Sequence, residues 1–78
     1  MPRYIITNMD RDFLRESDHL IHSINIARDH LGSPFSWTRV SNGFYEAWNK
    51  ESGKKVYMMN RYGAIHNGFG DLFTHTGR

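Results

Sequence analysis

Five histidines in 78 residues are the first side chains to weigh, because imidazole titrates, ligates metals and moves protons near neutrality. His19 and His22 stand three apart, a spacing that sets two imidazoles on one helix face, and Asp18 lies one turn before His22. A catalytic zinc motif needs in addition a firm third ligand and a general-base glutamate at a fixed offset, and neither is evident, so no metal and no cofactor is expected. His66 or His75 with Lys55 could serve as acid, base and phosphorane stabiliser in a metal-independent ribonuclease. Nothing in the spacing brings those three together, so solvated tail histidines are expected. There is no GxSxG elbow, phosphate-binding glycine loop or dinucleotide fingerprint, and with no cysteine there is no thiolate nucleophile. The reading is of a chain that binds and does not catalyse.

Composition narrows what it binds. Ten Lys and Arg against eight Asp and Glu is a small excess, far below that of a dedicated polyanion binder. Residues 33–62 hold five of the basic side chains against two acidic ones, but Lys54 and Lys55 flank a turn where solvated lysines are ordinary. Eleven aromatic residues are the more unusual feature. The lack of cysteine fits a reducing compartment, and the N-terminal MPRYIITN has neither a signal-peptide core nor a spanning segment, so a cytoplasmic protein that does not enter a membrane is expected.

The elements that would position these side chains follow from pattern. Arg3–Thr7 is a β-branched and aromatic run of strand type, closed by Asn8, a good helix N-cap. With Asp10 and Asp12 in the first turn and Gly32-Ser33-Pro34 as a stop, one helix is expected over about residues 9–31. Phe13, Leu14, Leu20, Ile21, Ile24, Ala27 and Leu31 form its apolar stripe. Asn42-Gly43 between two strand-like runs reads as a tight hairpin with Val40 opposite Tyr45, Arg39 opposite Glu46 and Trp37 opposite Trp48. A second turn at Glu51-Ser52-Gly53 leads to a strand over Lys55–Asn60. The fold expected is α+β, in the order β-α-β-β-β, with one amphipathic helix on a small sheet containing a three-stranded antiparallel meander. Residues 1–62 would form a single domain and residues 63–78 an irregular, glycine-rich tail packed on the domain or on a partner.

In that register Trp37, Arg39, Phe44, Glu46 and Trp48 share one sheet face, and Thr38, Val40, Tyr45 and Ala47 the other. One helix covers one face, so the second is expected to meet the tail, a second copy or a foreign protein. Arg15, His19, His22, Ile26 and His30 form a second stripe on the outer side of the helix. The expected function is therefore a small protein-binding module, for example an inhibitor of the kind encoded by phages and mobile elements that occludes a larger host complex in defence or transcription. Its partner-binding residues would be Trp37, Arg39, Phe44 and Trp48 on the sheet and Arg15, His22 and Ile26 on the helix. A homodimer and, as second choice, single-stranded nucleic acid bound by aromatic and basic sheet residues are the other partners the sequence suggests.

Overall fold

A computed structural model describes residues 3–76, without the side chains of 74–76, so the side chain of His75 lies outside the described residues. Eight elements follow one another: β1 (Tyr4–Asn8), β2 (Phe13–Ser17), α1 (Leu20–Leu31), β3 (Phe35–Ser41), β4 (Phe44–Asn49), β5 (Lys55–Asn60), α2 (Arg61–His66) and α3 (Gly70–Thr76). The strands form one sheet in the order β2-β1-β5-β4-β3, antiparallel throughout. The α+β class and the β3-β4-β5 meander are as expected from sequence. The order is β-β-α-β-β-β-α-α, with one more strand and two more helices.

The extra strand comes from the segment read as the first half of a long helix. Asn8 does act as a cap, but of a turn: its Oδ1 accepts from the N–H of Asp10 at 2.9 Å and of Asp12 at 3.0 Å. Asn8 N–H donates to Asp12 O and Arg11 N–H to Asn8 O, which closes a hairpin between β1 and β2. An Asn followed by acidic residues satisfies a helix start and a turn equally well, and sheet pairing decides between them here. The helix therefore has 12 residues, not 23. Its N-cap is His19, which makes no side-chain cap bond; Ser17 Oγ bonds instead to Ser23 Oγ at 2.6 Å and to His19 O at 3.0 Å. Ile24, Ala27 and Leu31 are buried at helical spacing and Leu20 packs beside them, whereas Ile21, expected on the stripe, is 60 % exposed.

Two apolar clusters lie on the two sides of the sheet. On one, α1 covers Ile6, Ala47, Val56 and Met58. On the other, Ile5, Phe44 and Met59 are covered by Ala64, Phe69 and Phe73. The segment expected to be an irregular tail thus supplies α3 and most of α2, and its Ala64, Phe69 and Phe73 complete a second core, with Ile65 left exposed. Four glycines in sixteen residues hid that helical pattern, because α2 and α3 are each only six or seven residues long. Asn60 accepts from Gly63 N–H at 2.8 Å through Oδ1 and so starts α2 directly at the end of β5.

One buried side chain joins the helix to the meander. Asn49 Nδ2 donates to Leu31 O at 2.9 Å, with Gly32 O and Ser33 O at 3.3 and 3.2 Å. Its Oδ1 accepts from Glu51 N–H and Ser52 N–H at 2.9 and 3.0 Å. The amide closes the α1 C-terminus and the β4-β5 turn at once. Because Phe73 is as buried as any strand residue, Phe73→Ala should lower the unfolding free energy by about 3–5 kcal/mol in urea denaturation. A loss below about 1 kcal/mol would mean that α3 is an appendage and not part of the core.

Candidate functional site

The hairpin expected at Asn42-Gly43 is present, with Ser41 opposite Phe44 and Gly43 at φ 75°. Its side-chain pairing differs from the expected one. Trp37 lies opposite Ala47, Thr38 opposite Glu46 and Arg39 opposite Tyr45, and the register shifts between Arg39 and Ser41. Val40 is the extra residue of a bulge there, and a one-residue offset sends every side chain before it to the other face. Trp37 and Arg39 consequently stand on the α1 side of the sheet, beside Tyr45, with the Trp37 and Tyr45 rings 6.1 Å apart. Phe44, Glu46 and Trp48 stand on the opposite side.

That separation divides the expected sheet site. Phe44 is 6 % exposed under Phe69, 5.5 Å away ring to ring, and is not available to a partner; Trp48 is half-buried. Trp37 remains 41 % exposed and Val40 51 % exposed, and Arg39 is exposed with them. α1 packs on β1, β2, β4 and β5 and only lightly on β3, because its first turn is tied to Ser17 of β2 and its C-terminus to Asn49 of β4. It leaves uncovered the corner that carries Trp37, Arg39 and Val40.

The helix-side group is rearranged in the same way. Arg15 is on β2 and not on the helix, but it lines an open depression of about 310 Å³ together with Ile26, Asp29 and His30. Ile26 is half-buried against the first core, so it is not the lone apolar residue on a solvent face that the sequence suggested. His22 lies elsewhere, exposed, with its ring edge-on to His19 at 5.3 Å. His66 stacks against Tyr62 at 4.3 Å, and Lys55 reaches Glu46 at 3.8 Å. Among the described residues no group of three or more His, Asp or Glu is placed to hold a metal ion.

A further cleft was not legible in the sequence. About 330 Å³ opens between Arg11, Glu46, Tyr57, Asn67 and the rings of Phe44 and Phe69. The Arg11 guanidinium sits 4.7 Å from the centre of the Phe69 ring, and Nη1 reaches Gly68 O at 3.5 Å. Among the described residues Arg11 is also the one non-glycine residue with positive φ, 70°. It joins the β1-β2 turn to the α2-α3 connection, a contact between residues 57 positions apart that no local pattern announces.

Compared with known proteins, the chain matches no family model, no curated protein and no solved structure. Function has to be argued from the surfaces themselves.

Two measurements check this geometry. Burial, with the nearby Tyr45 as the smaller cause, pushes the Tyr4 phenol above its ordinary 10.0. Folding therefore holds that proton more tightly than the unfolded chain does, so stability is full below pH 10 and is lost as pH rises through the folded pKa. Tyr4→Phe should flatten that alkaline decline, and an unchanged slope would refute the assignment. At position 11, Arg11→Gly relieves the positive φ while Arg11→Ala keeps it, so the glycine variant should be the more stable by about 1 kcal/mol in denaturant titration.

Proposed function

We propose that this chain is a non-catalytic protein-binding module that acts by occluding a larger partner, and that its contact surface is the corner of the sheet formed by Trp37, Arg39 and Val40 with Tyr45 behind them. The observation that carries the reading is the exposure of Trp37 and Val40 on an outer strand at the margin of the first core. Burying a tryptophan is among the most favourable steps open to a small domain, and the chain's other tryptophan, Trp48, is half-buried. Tryptophan and arginine are also among the residues that concentrate in the hot spots of binding interfaces. The Arg15, Ile26 and His30 depression is a second contact region on the same side of the sheet as α1.

The nucleic-acid reading has less to stand on. It needs exposed rings on the sheet interleaved with free cations, but Phe44 lies under Phe69 and Lys55 faces Glu46.

The test starts from a partner captured from host lysate and compares its affinity for variants. Trp37→Ala should weaken binding by about 2 kcal/mol or more, and Arg39→Ala by a comparable amount, with the fold retained in circular dichroism. Trp48→Ala, on the opposite side, should leave the affinity unchanged. Unchanged affinity for Trp37→Ala would reject the surface. Binding that falls steeply with salt and is lost on replacing Lys54 and Lys55 would reject the class in favour of nucleic acid.

A further inference from the structure

The backbone of β3 offers a second kind of contact, distinct from its side chains. Lys50 N–H donates to Pro34 O at 2.8 Å and Phe35 pairs with Asn49, which fixes the alternation along the strand. Ser36 and Thr38 turn their N–H and C=O groups to β4, whereas Phe35, Trp37 and Arg39 turn theirs outward, where β3 has no neighbouring strand among the described residues. The opposite edge is protected. β2 has five residues, an irregular register against β1, and two adjacent charges, Arg15 and Glu16. β3 has seven residues and one charge, Arg39, and its bulge comes only after Arg39, so Phe35 to Arg39 run regularly.

We propose that β3 is the interface between two copies of this chain, paired antiparallel about a twofold axis at Thr38 so that two five-stranded sheets become one. In this register Trp37 of each copy faces Arg39 of the other on the α1 side, and Thr38 faces Thr38 on the far side. Each Trp37–Arg39 pair joins outward-turned backbones, so it exchanges two hydrogen bonds. It also sets a guanidinium beside an exposed indole, and Thr–Thr is a favourable cross-strand pair.

Charge selects this register over its neighbours. Centring the axis on Arg39 opposes two guanidiniums and runs the ladder into the bulge after Arg39. Centring it on Trp37 brings Arg39 to the Phe35 ring, where Arg28 already lies 5.0 Å from the ring centre. Only the Thr38 axis places each cation against an aromatic ring that carries no other cation. Because the axis is perpendicular to the sheet, both Trp37 corners lie on the same side and form one bivalent surface. The inference rests on backbone register and stands whether or not that corner binds a foreign protein.

The chain has no cysteine, which makes the test direct. Across the axis Thr38 meets Thr38 in a non-hydrogen-bonded pair, the closest type of pair, with Cα atoms at disulfide range. Thr38→Cys should oxidise to a covalent dimer, whereas Ser36→Cys should not, since its two copies lie four positions apart along the strands. The unmodified chain should rise in sedimentation equilibrium from 9.2 kDa toward twice that mass as concentration increases. A single-chain mass at every concentration up to about 1 mM would overturn the proposal and leave β3 to another occupant. Equal crosslinking of the Ser36 and Thr38 variants would overturn it too. Failure of Trp37→Ala to weaken a foreign partner bears on the proposed function alone, so the two can fail separately.

Discussion

The rest of this structure depends on a sheet that is apolar on both sides. Side chains alternate along a strand, so neighbours such as Ile5 and Ile6, or Met58 and Met59, point to opposite faces, and all four are fully buried. A two-sided apolar sheet needs a layer above and a layer below. α1 supplies one and the α2-α3 pair supplies the other, and neither can be removed without exposing several methionine, isoleucine and phenylalanine side chains. At about 25 cal/mol per Å² of apolar surface, exposing even two or three such side chains would consume most of the stability expected of a domain this small.

Coverage of both faces is secured at the ends of the strands. Asn60 closes the first turn of α2, and the backbone of Gly63 lies so close to the Gly43 carbonyl that any side chain there would collide with it. The β3-β4 turn and the start of α2 are therefore one packed unit. At the opposite end Asn49 spends its whole amide on the α1 C-terminus and the β4-β5 turn. Two asparagines thus hold the two helical layers to the same meander, one on each side, and this is where a polar substitution in a strand costs more than its size implies.

Much of this was legible in the residue string, and the parts that were not share a cause. Asn42-Gly43 gave the hairpin and Gly53 the second turn because positive φ is a local demand with a local signature. The pairing beyond the turn departs from the one the turn implies because a bulge at Val40 costs one residue of register and leaves no mark in the residue string. Residues 9–18 carry a helix-start signal in Asn8, Asp10 and Asp12, while the strand they form depends on β1 as its partner. Of the expected binding residues, Trp37 and Arg39 did come together at the surface, Phe44 went into the second core, and Arg15 met Ile26 from a strand and not from a helix turn. The Arg11 cleft needed the packed position of Phe69, which no spacing within the chain encodes.

The geometry of coverage also explains why an aromatic corner is left over. A helix of 12 residues is about 10 Å across with its side chains, whereas strands of 5 to 7 residues run about 17–24 Å, so one helix crossing them cannot roof the whole face. Laid from Ser17 of β2 to Asn49 of β4, α1 leaves a groove open along its flank beside β2 and a corner open at β3. Beside β2 the open groove is lined by Arg15 of the strand and by Asp29 and His30 of the helix, residues that are content in water. At β3 the open corner holds Trp37 and Val40, which are not. A chain that could tolerate charge at one uncovered corner faces no structural obstacle to charge at the other. Trp37 covers part of its surface against Tyr45 and leaves the rest in water, and that remainder is the surface the proposed contact would cover.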